Sequence, residues 1–579
     1  MRKQSVQTQL KGKGLKLNAE QMTAIKALGG VSVVNAGAGT GKTSTIVGKI
    51  TYASIAVPYC SILAISFTKK AVAELQGRII GAANVLCSTF HAFFYRILRS
   101  NGYKNFGFAD ENQKSSIIEN IAGQDKYKKF IAAADIAEAL CKGEMSGIVG
   151  EAVEDYLDTL KSQRIMCFDS MQYFVADLLK KSPAVANRVR SLYDFVLIDE
   201  AQDLSAVQAE IIKLIWPKDT ENNLTFVGDT NQSIYSFRGS KANVMDELTE
   251  YYGADVYTLT KNYRSGQKIL NFAEKVLPEA SGLKAVKGVG KEVSVEGYAD
   301  KEAEAAAVVE QIKILHNSGV PLNDICVLFR ASGAVSEVFE MLIKQSVPFV
   351  KIGSEGLKWN NGRYKAMLAL LSLVHDKNNP LYKCALPIIG IPYDVLNNLE
   401  YMEDSGVPFF EAVMNIPSLS KKQGEVLADF KEIDAGSYEF KALCRLLWDK
   451  YLKVYFKAEN DAFMDEFMEA TDKFEDWSEL KNYIIVLRRQ ANKMAKLASD
   501  PTADYLRLMS IHSAKGLEYA HVFLVGAVDG VLPDLSHDVV NMAEENRLAY
   551  VAVTRAKENL TVTYYKEGDA KISRFFEEK

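Results

Sequence analysis

The chain has 579 residues, 48% hydrophobic and 25% charged, with a mean hydropathy of -0.07. At ~150 residues per domain that length predicts about four domains, and the composition excludes a disordered, collagenous or coiled-coil chain. Basic residues number 69 and acidic residues 73, a net charge of -4, so no global field draws nucleic acid and any such binding must rest on local residues.

The N-terminal MRKQSVQTQLKGKGLKLNAEQ is basic and polar with no apolar h-region behind it. No run approaches ~18 apolar residues, so a soluble intracellular protein without membrane segments is expected. Residues 31–50, VSVVNAGAGTGKTSTIVGKI, predict a short buried strand, a glycine-rich turn and a helix start. The strand SILAISF (61–67) and the helix KKAVAELQGRII (69–80) follow, then the strands FVLIDE (195–200), LTFVGD (224–229) and VYTLT (256–260). Apolar strands separated by helical patterns predict a parallel α/β sheet. Between 104 and 186 the texture is helical, an insertion in that first α/β unit. A second α/β unit begins near 263, with the strand DICVLFR (324–330) and the helix SEVFEMLIKQS (336–346). It is interrupted by a helical stretch from about 378 to 500 and resumes with LRLMSI (506–511) and HVFLVGAV (521–528). The expected division is therefore 1–103 with 187–262, an insertion over 104–186, then 263–377 with 501–579, and an insertion over 378–500. Seven cysteines are scattered (Cys60, Cys87, Cys141, Cys167, Cys326, Cys384, Cys444) and none forms a CxxC pair. That spacing fits buried thiols in a reducing compartment rather than a disulfide framework or a zinc or iron–sulfur site.

The chemistry is concentrated in two places. Ala36-Gly37-Ala38-Gly39-Thr40-Gly41-Lys42-Thr43 sits between a strand and a helix, where glycines let backbone N–H groups point inward around phosphates. Lys42 would reach the β- and γ-phosphates and the Thr43 hydroxyl would bind Mg²⁺; the strict pattern has Gly where this chain has Ala36. FVLIDEAQD places Asp199 and Glu200 at the C-terminal end of a buried strand, where open α/β sheets bind ligands. Asp199 would hold Mg²⁺, and Glu200 would orient the attacking water. Together these features predict an NTPase.

The motifs, in order, resemble those of the superfamily 1 helicases of the UvrD/Rep/PcrA type. LNAEQ (17–21) resembles the adenine-reading Q motif, AGAGTGKT and FTKKAVAELQGRI (67–79) motifs I and Ia, and STFHAFFYRIL (88–98) the segment after them. VLIDEAQD is similar to motif II, VGDTNQSIYSFRGS (227–240) to motif III and KNYRS (261–265) to motif IV. LMSIHSAKGLEY (508–519) and EENRLAYVAVTRAK (544–557) resemble motifs V and VI. The resemblance implies two RecA-like P-loop domains with parallel sheets, each carrying a mainly helical insertion. It assigns Gln21 to the adenine edge and Tyr263 to stacking on that base. Gly37, Ala38, Gly39, Thr40, Gly41, Lys42, Thr43 and Ser44 would cradle the phosphates of ATP, and Glu518 would contact the ribose. Gln232 would sense the γ-phosphate, and Arg264 and Arg555 would stabilise its transferring charge.

The same resemblance implies that Phe67, Tyr235 and Phe237 stack on the bases of single-stranded DNA and that Thr89, His91 and His512 bond its phosphates or sugars. Phe237 stands where many relatives have Trp, Asn546 where many have Arg, and Ser510 where many have Thr. The implied protein is an ATP- and Mg²⁺-dependent DNA helicase, acting on single strands and on single-strand/duplex junctions as a monomer or weak oligomer. Travel would be 3′→5′, in a bacterial cytoplasm or in a host cytoplasm if phage-encoded. Only a short segment follows Arg555, so no long C-terminal tail and no fused nuclease domain is expected. A translocase that strips proteins from single strands with little unwinding shares every motif, and RNA would satisfy stacking and phosphate contacts as well. Lys126, Lys128 and Lys129 form a basic cluster that is either a solvated helix face or a contact to nucleic-acid backbone.

Overall fold

The computed structural model describes residues 16–79, 84–236, 239–240, 243–352, 359, 362–377, 385–391, 413, 419–458, 460–497, 500, 503–535 and 540–577. The chain divides into two compact units: Met1–Glu296 with Ala514–Tyr564 and Asp569–Lys579, and Gly297–Ser513 with Tyr565–Gly568.

The first unit opens with helix α1 (Ala19–Lys26), started by a capping box in which Asn18 and Gln21 bond reciprocally. Strand β1 (Gly30–Ala36) leads through the glycine-rich turn into α2 (Lys42–Ala56). Then come β2 (Ile62–Ser66), β3 (Val85–Thr89), α3 (Phe90–Arg99), β4 (Phe195–Ile198), β5 (Asn223–Gly228) and β6 (Asp255–Leu259). These six strands form one parallel sheet in the order β3-β2-β4-β5-β1-β6. Side chains alternate between its faces as the pleat requires: Leu63, Ile65, Val196, Ile198, Leu224 and Phe226 enter one core, and Ile62, Ala64, Leu197, Val34 and Val227 the other. The helices Glu111–Ala122, Ala133–Lys142, Gly147–Ser162 and Phe168–Lys181 bury Ile118, Leu140, Tyr156 and Phe174 in the first of these cores. The helical stretch within 104–186 is therefore fused to the sheet rather than built around a core of its own.

In the second unit, β7 (Ile325–Phe329), β8 (Phe349–Ile352) and β9 (Leu506–Ser510) form a parallel ladder with β9 in the middle. Helices Lys301–Asn317 and Ser336–Lys344 belong to it, as do Lys421–Lys431, Phe440–Leu447, Ala462–Thr471 and Trp477–Leu497. The chain re-enters the first unit at Ala514, where β10 (Tyr519–Leu524) pairs in parallel with β11 (Ala556–Tyr565) across the helix Met542–Val553.

This grouping differs from the expected division at 263 and 501. Residues 263–296 and most of 514–579 fall in the first compact unit. The Ser265 hydroxyl donates to the Ala556 carbonyl at 2.6 Å, and Phe272 stacks on Phe576 with ring centroids 5.9 Å apart. Lys515 and Arg555 also find partners on the loops after β4 and β5, at Asp203 and Gln232. Among the described residues no helix is long and apolar enough to cross a membrane. The six described cysteines are free thiols, five of them buried; Cys384 lies outside the described residues.

Candidate nucleotide and strand-binding site

The strand order explains why the site forms where it does. β4, β5 and β1 are neighbours, so the loops at their C-terminal ends bring Asp199 and Glu200, Asp229 and Gln232, and the glycine-rich turn to one crevice. Ala36, the last residue of β1, is fully buried, so its methyl group is accommodated where glycine is usual. Gly39 and Gly41 have φ of +70° and +87°, a region that side chains disfavour. A Cβ on Gly39 would also lie 2.6 Å from Asn262 Nδ2 and 2.7 Å from Arg264 Cβ. The loop is held from both sides: Thr40 Oγ1 donates to Gly37 O at 2.8 Å, Asn262 Nδ2 to Ala38 O at 2.6 Å, and Tyr263 N to Gly39 O at 2.8 Å. Helix α2 begins at Gly41 without a side-chain cap, so its first N–H groups are free of the chain's own side chains and aimed into the crevice. Ser44 accepts from Arg78 Nη2 at 2.8 Å.

Gln21 is buried on the rim. Its Nε2 donates to Thr40 O at 3.0 Å and its Oε1 accepts from Asn18 N at 3.0 Å. One N–H and one lone pair of the amide remain for a base edge, so Gln21 also acts as a strut between α1 and the phosphate loop. Tyr263 is half-exposed beside it, its hydroxyl accepting from Asn18 Nδ2 at 2.9 Å.

Around the loop lies a network of buried charge. Lys42 Nζ is 3.2 Å from Glu200 Oε2. Burial would lower the lysine's pKa, but Glu200, Asp229 and Asp199 outweigh it and hold Lys42 protonated. Glu200 has φ of +52°, a strained conformation for a non-glycine residue. That corner ends the strand alternation, so adjacent carboxylates can both address Lys42. Burial pushes the Asp199 carboxyl up, reinforced by Glu200; Lys42 and Lys515 overcome burial at Glu200 and push it down. Asp199 accepts from Ser66 Oγ at 3.2 Å and from the Glu200 N–H at 3.0 Å. Gln202 Nε2 donates to Glu200 Oε2 at 2.7 Å while its Oε1 accepts from Asp229 N at 3.0 Å. Gln232 Nε2 donates to Asp229 Oδ2 at 2.6 Å, and its Oε1 accepts from Arg555 Nη2 at 2.9 Å.

Arg555 is wholly buried, and burial followed by the nearby Arg264 pushes its pKa down to about 9. Arg264 donates from Nε to Glu518 Oε2 at 2.7 Å and from Nη1 to Thr554 O at 2.9 Å. Glu518, expected at a ribose, is thus engaged by Arg264 and also lies 3.1 Å from Lys557 Nζ. Asn262, Gln202, Asp203 and Lys515 are residues that sequence reasoning did not single out. Asn262 is fully buried, and its Oδ1 accepts from the Arg264 and Ser265 N–H groups, both at 2.8 Å, tying the arginine's turn to the phosphate loop. Its only signal was its place inside KNYRS.

Of the expected strand contacts, Phe67 and Tyr235 lie together, with rings nearly parallel (8°) and centroids 6.5 Å apart. Lys515 Nζ stands 4.8 Å over the Tyr235 ring and is bound by Asp203 at 2.6 Å and by Gln232 O at 2.5 Å. Thr89 caps α3, accepting from Ala92 N at 3.2 Å, which leaves its O–H to donate. His91 is exposed on α3 and meets the exposed Phe168 edge-on at 5.5 Å, a neighbour the sequence did not reveal. His512 follows β9 and belongs to the second unit. Phe237 lies outside the described residues. In the basic cluster, Lys126 is 2.5 Å from Asp155 and Lys128 2.5 Å from Asp125, so two of the three cations are already paired.

This donor set fits a nucleoside triphosphate with Mg²⁺. Uncapped helix N–H groups, Lys42, Arg264 and Arg555 converge on one crevice and suit a polyanion. Among the described residues no cluster of three or more His, Cys, Asp and Glu forms a cation cage. Mg²⁺ is ordinarily bound by one or two protein oxygens together with phosphates, as Thr43 and Asp199 would provide.

Comparison with known proteins agrees. The family model of the UvrD-like helicase C-terminal domain matches residues 257–567, and that of the UvrD/REP helicase N-terminal domain matches residues 17–146 and 128–253. The chain is 28% identical to the ATP-dependent DNA helicase PcrA of Bacillus subtilis over 95% of its own length and 83% of that protein's. It is 26% identical to PcrA of Staphylococcus epidermidis (94% and 83%) and 28% identical to a probable DNA helicase II homolog of Mycoplasma capricolum (97% and 87%). With both halves of the fold matched and the charge network in place, the chain belongs to the UvrD-like helicases and is an enzyme of that family.

Proposed function

We propose that this enzyme is an ATP-dependent DNA helicase that moves 3′→5′ on single-stranded DNA and opens the duplex ahead of it. The observation that carries the reading is the continuous path from Tyr235 through Lys515 and Asp203 to Glu200 and Lys42. It links an aromatic surface to the carboxylate best placed to orient water. The two rings lie parallel with centroids 6.5 Å apart and form an aromatic surface on which bases would stack. Such stacking is worth ~1–3 kcal/mol per base and is indifferent to sequence. His91 and Phe168 form a second pair of exposed rings in the same unit.

On the nucleotide side, Thr43 and Asp199 would hold Mg²⁺, which supplies neutralisation of the phosphate charge. Lys42 would leave Glu200 for the phosphates, freeing that carboxylate to orient the attacking water. Arg555 and Arg264 would face the charge that develops on the transferring group, Arg555 already aligned by Gln232. The Gln21 amide and the Tyr263 ring would hold the adenine. Unwinding then needs little force per step, because opening one base-pair step costs about 1.4 kcal/mol and terminal pairs fray.

The test uses two partial duplexes, one with a 3′ and one with a 5′ single-stranded tail, at fixed salt with Mg·ATP. Strand displacement from the 3′ tail alone is expected. Displacement from the 5′ tail alone would reverse the polarity, and DNA-stimulated ATP hydrolysis without displacement from either would establish the protein-stripping translocase instead. Equal stimulation by RNA would overturn the DNA assignment.

A further inference from the structure

Tyr550 lies on the helix Met542–Val553 and is 1% exposed, among the most deeply buried large side chains of the protein. Its O–H finds no acceptor among the described residues. The group is not stranded in an apolar core: it faces the Ala38 backbone of the phosphate loop, with Asp229, Arg555 and Arg264 around it. The helix is fixed there, since Thr554 donates from both N and Oγ1 to Tyr550 O, at 3.0 and 2.9 Å, and Arg264 grips the Thr554 carbonyl. A buried hydroxyl without a partner is destabilising relative to the same ring without it, so phenylalanine would serve packing better. The cluster already holds two guanidinium groups, and a phenol adds a donor without adding a third positive charge.

We propose that the Tyr550 hydroxyl is a further substrate contact, donating a hydrogen bond to an oxygen of the terminal phosphate of the bound nucleoside triphosphate. The inference rests on the reading of this crevice as an ATP site. Burial keeps the phenol protonated throughout the working pH range, so it acts as a donor and never as a competing anion. The contact distinguishes triphosphate from diphosphate, because a diphosphate has no group to receive the bond.

The test is Tyr550→Phe in the full-length protein, compared with wild type and Lys42→Ala. Steady-state ATP hydrolysis, inhibition by a non-hydrolysable ATP analogue and by ADP, and thermal denaturation are measured together. The expected result is a fall in kcat of about tenfold, the order of one hydrogen bond, and a several-fold weaker grip on the analogue, with ADP inhibition unchanged and Tm no lower than wild type. Wild-type kinetics in Tyr550→Phe overturn the inference, as does an equal loss of affinity for ADP and the analogue with a lowered Tm, which marks a packing role. A wild-type protein no faster than Lys42→Ala would instead bring down the reading of the crevice as an ATPase site, and this inference with it.

Discussion

Lys515 and Lys126 make the same local contacts in two regions of the molecule. Lys515 Nζ is 2.6 Å from Asp203 and 4.8 Å over the Tyr235 ring; Lys126 Nζ is 2.5 Å from Asp155 and 4.4 Å over Tyr127. The difference is water: the side chain of Lys515 is 6% exposed and that of Lys126 52%. A pair in solvent competes with hydration and salt and contributes little, whereas in the buried pair each partner is costly to leave alone. Geometry alone therefore ranks these two lysines as equals, and burial decides which one the protein depends on.

The sharpest way to break the comparison is to separate stability from rate. Arg555 is as buried as Lys515, but its head group is met by neutral oxygens of Gln232, Val551 and Leu517 rather than by a carboxylate. Arg555→Ala is expected to lower ATP turnover by roughly 10³-fold or more while costing little in urea-denaturation midpoint, because it removes a charge that burial already penalises. Lys515→Met should act first on stability, losing about 3–5 kcal/mol in chemical denaturation by stranding Asp203. Lys515→Met paired with Asp203→Asn should recover most of that loss, and a failure to recover would sink the view that the stranded charge is the cause. Asn262→Ala should cost about 1–3 kcal/mol and raise KM for ATP, since it releases Ala38 from the Arg264 turn.

The pH dependence refines the contrast. Burial pushes the Asp203 carboxyl up from 3.8 to about 6, despite the opposing pull of Lys515. A folded-state pKa above the unfolded one means the folded protein holds the proton more tightly. The stability Asp203 contributes is thus fully present below 3.8 and lost as pH rises through about 6. Asp203→Asn should flatten the stability profile in that window and Lys515→Met should steepen it, as read by Tm against pH. The smallest effect is expected at the solvent-exposed pair: Lys126→Ala should leave Tm unchanged within error. A measurable loss there would mean that exposure is a poor guide to which lysines matter.

The parts of the molecule that were readable from sequence are those specified by neighbours in the chain. A strand, a glycine turn and a lysine form one local unit, and so do an apolar strand and the Asp199–Glu200 pair at its end. Strand β3 escaped notice because VLCST is short and mixed in polarity, and it acts as a strand only because β2 offers it an edge. The helical stretch 104–186 was recognised as helical, yet its sharing of a core with the sheet depends on contacts no periodicity reports. The same limit hid the pairing of Lys515 with Asp203, which lie 312 positions apart, and of Arg264 with Glu518. Composition gave no sign that residues 514–564 would group with the first compact unit.

On the proposed reading, the parallel rings of Phe67 and Tyr235 have a further consequence for the condition of the DNA along which the enzyme would travel. Rings that meet a base on its flat faces take no notice of its edges. Methylation, deamination or oxidation of edge groups would therefore pass without a change of pace. A site that has lost its base altogether presents nothing to hold, so a strand with a single such gap would be felt as a missing rung, and the enzyme would hesitate there rather than at a chemically altered letter.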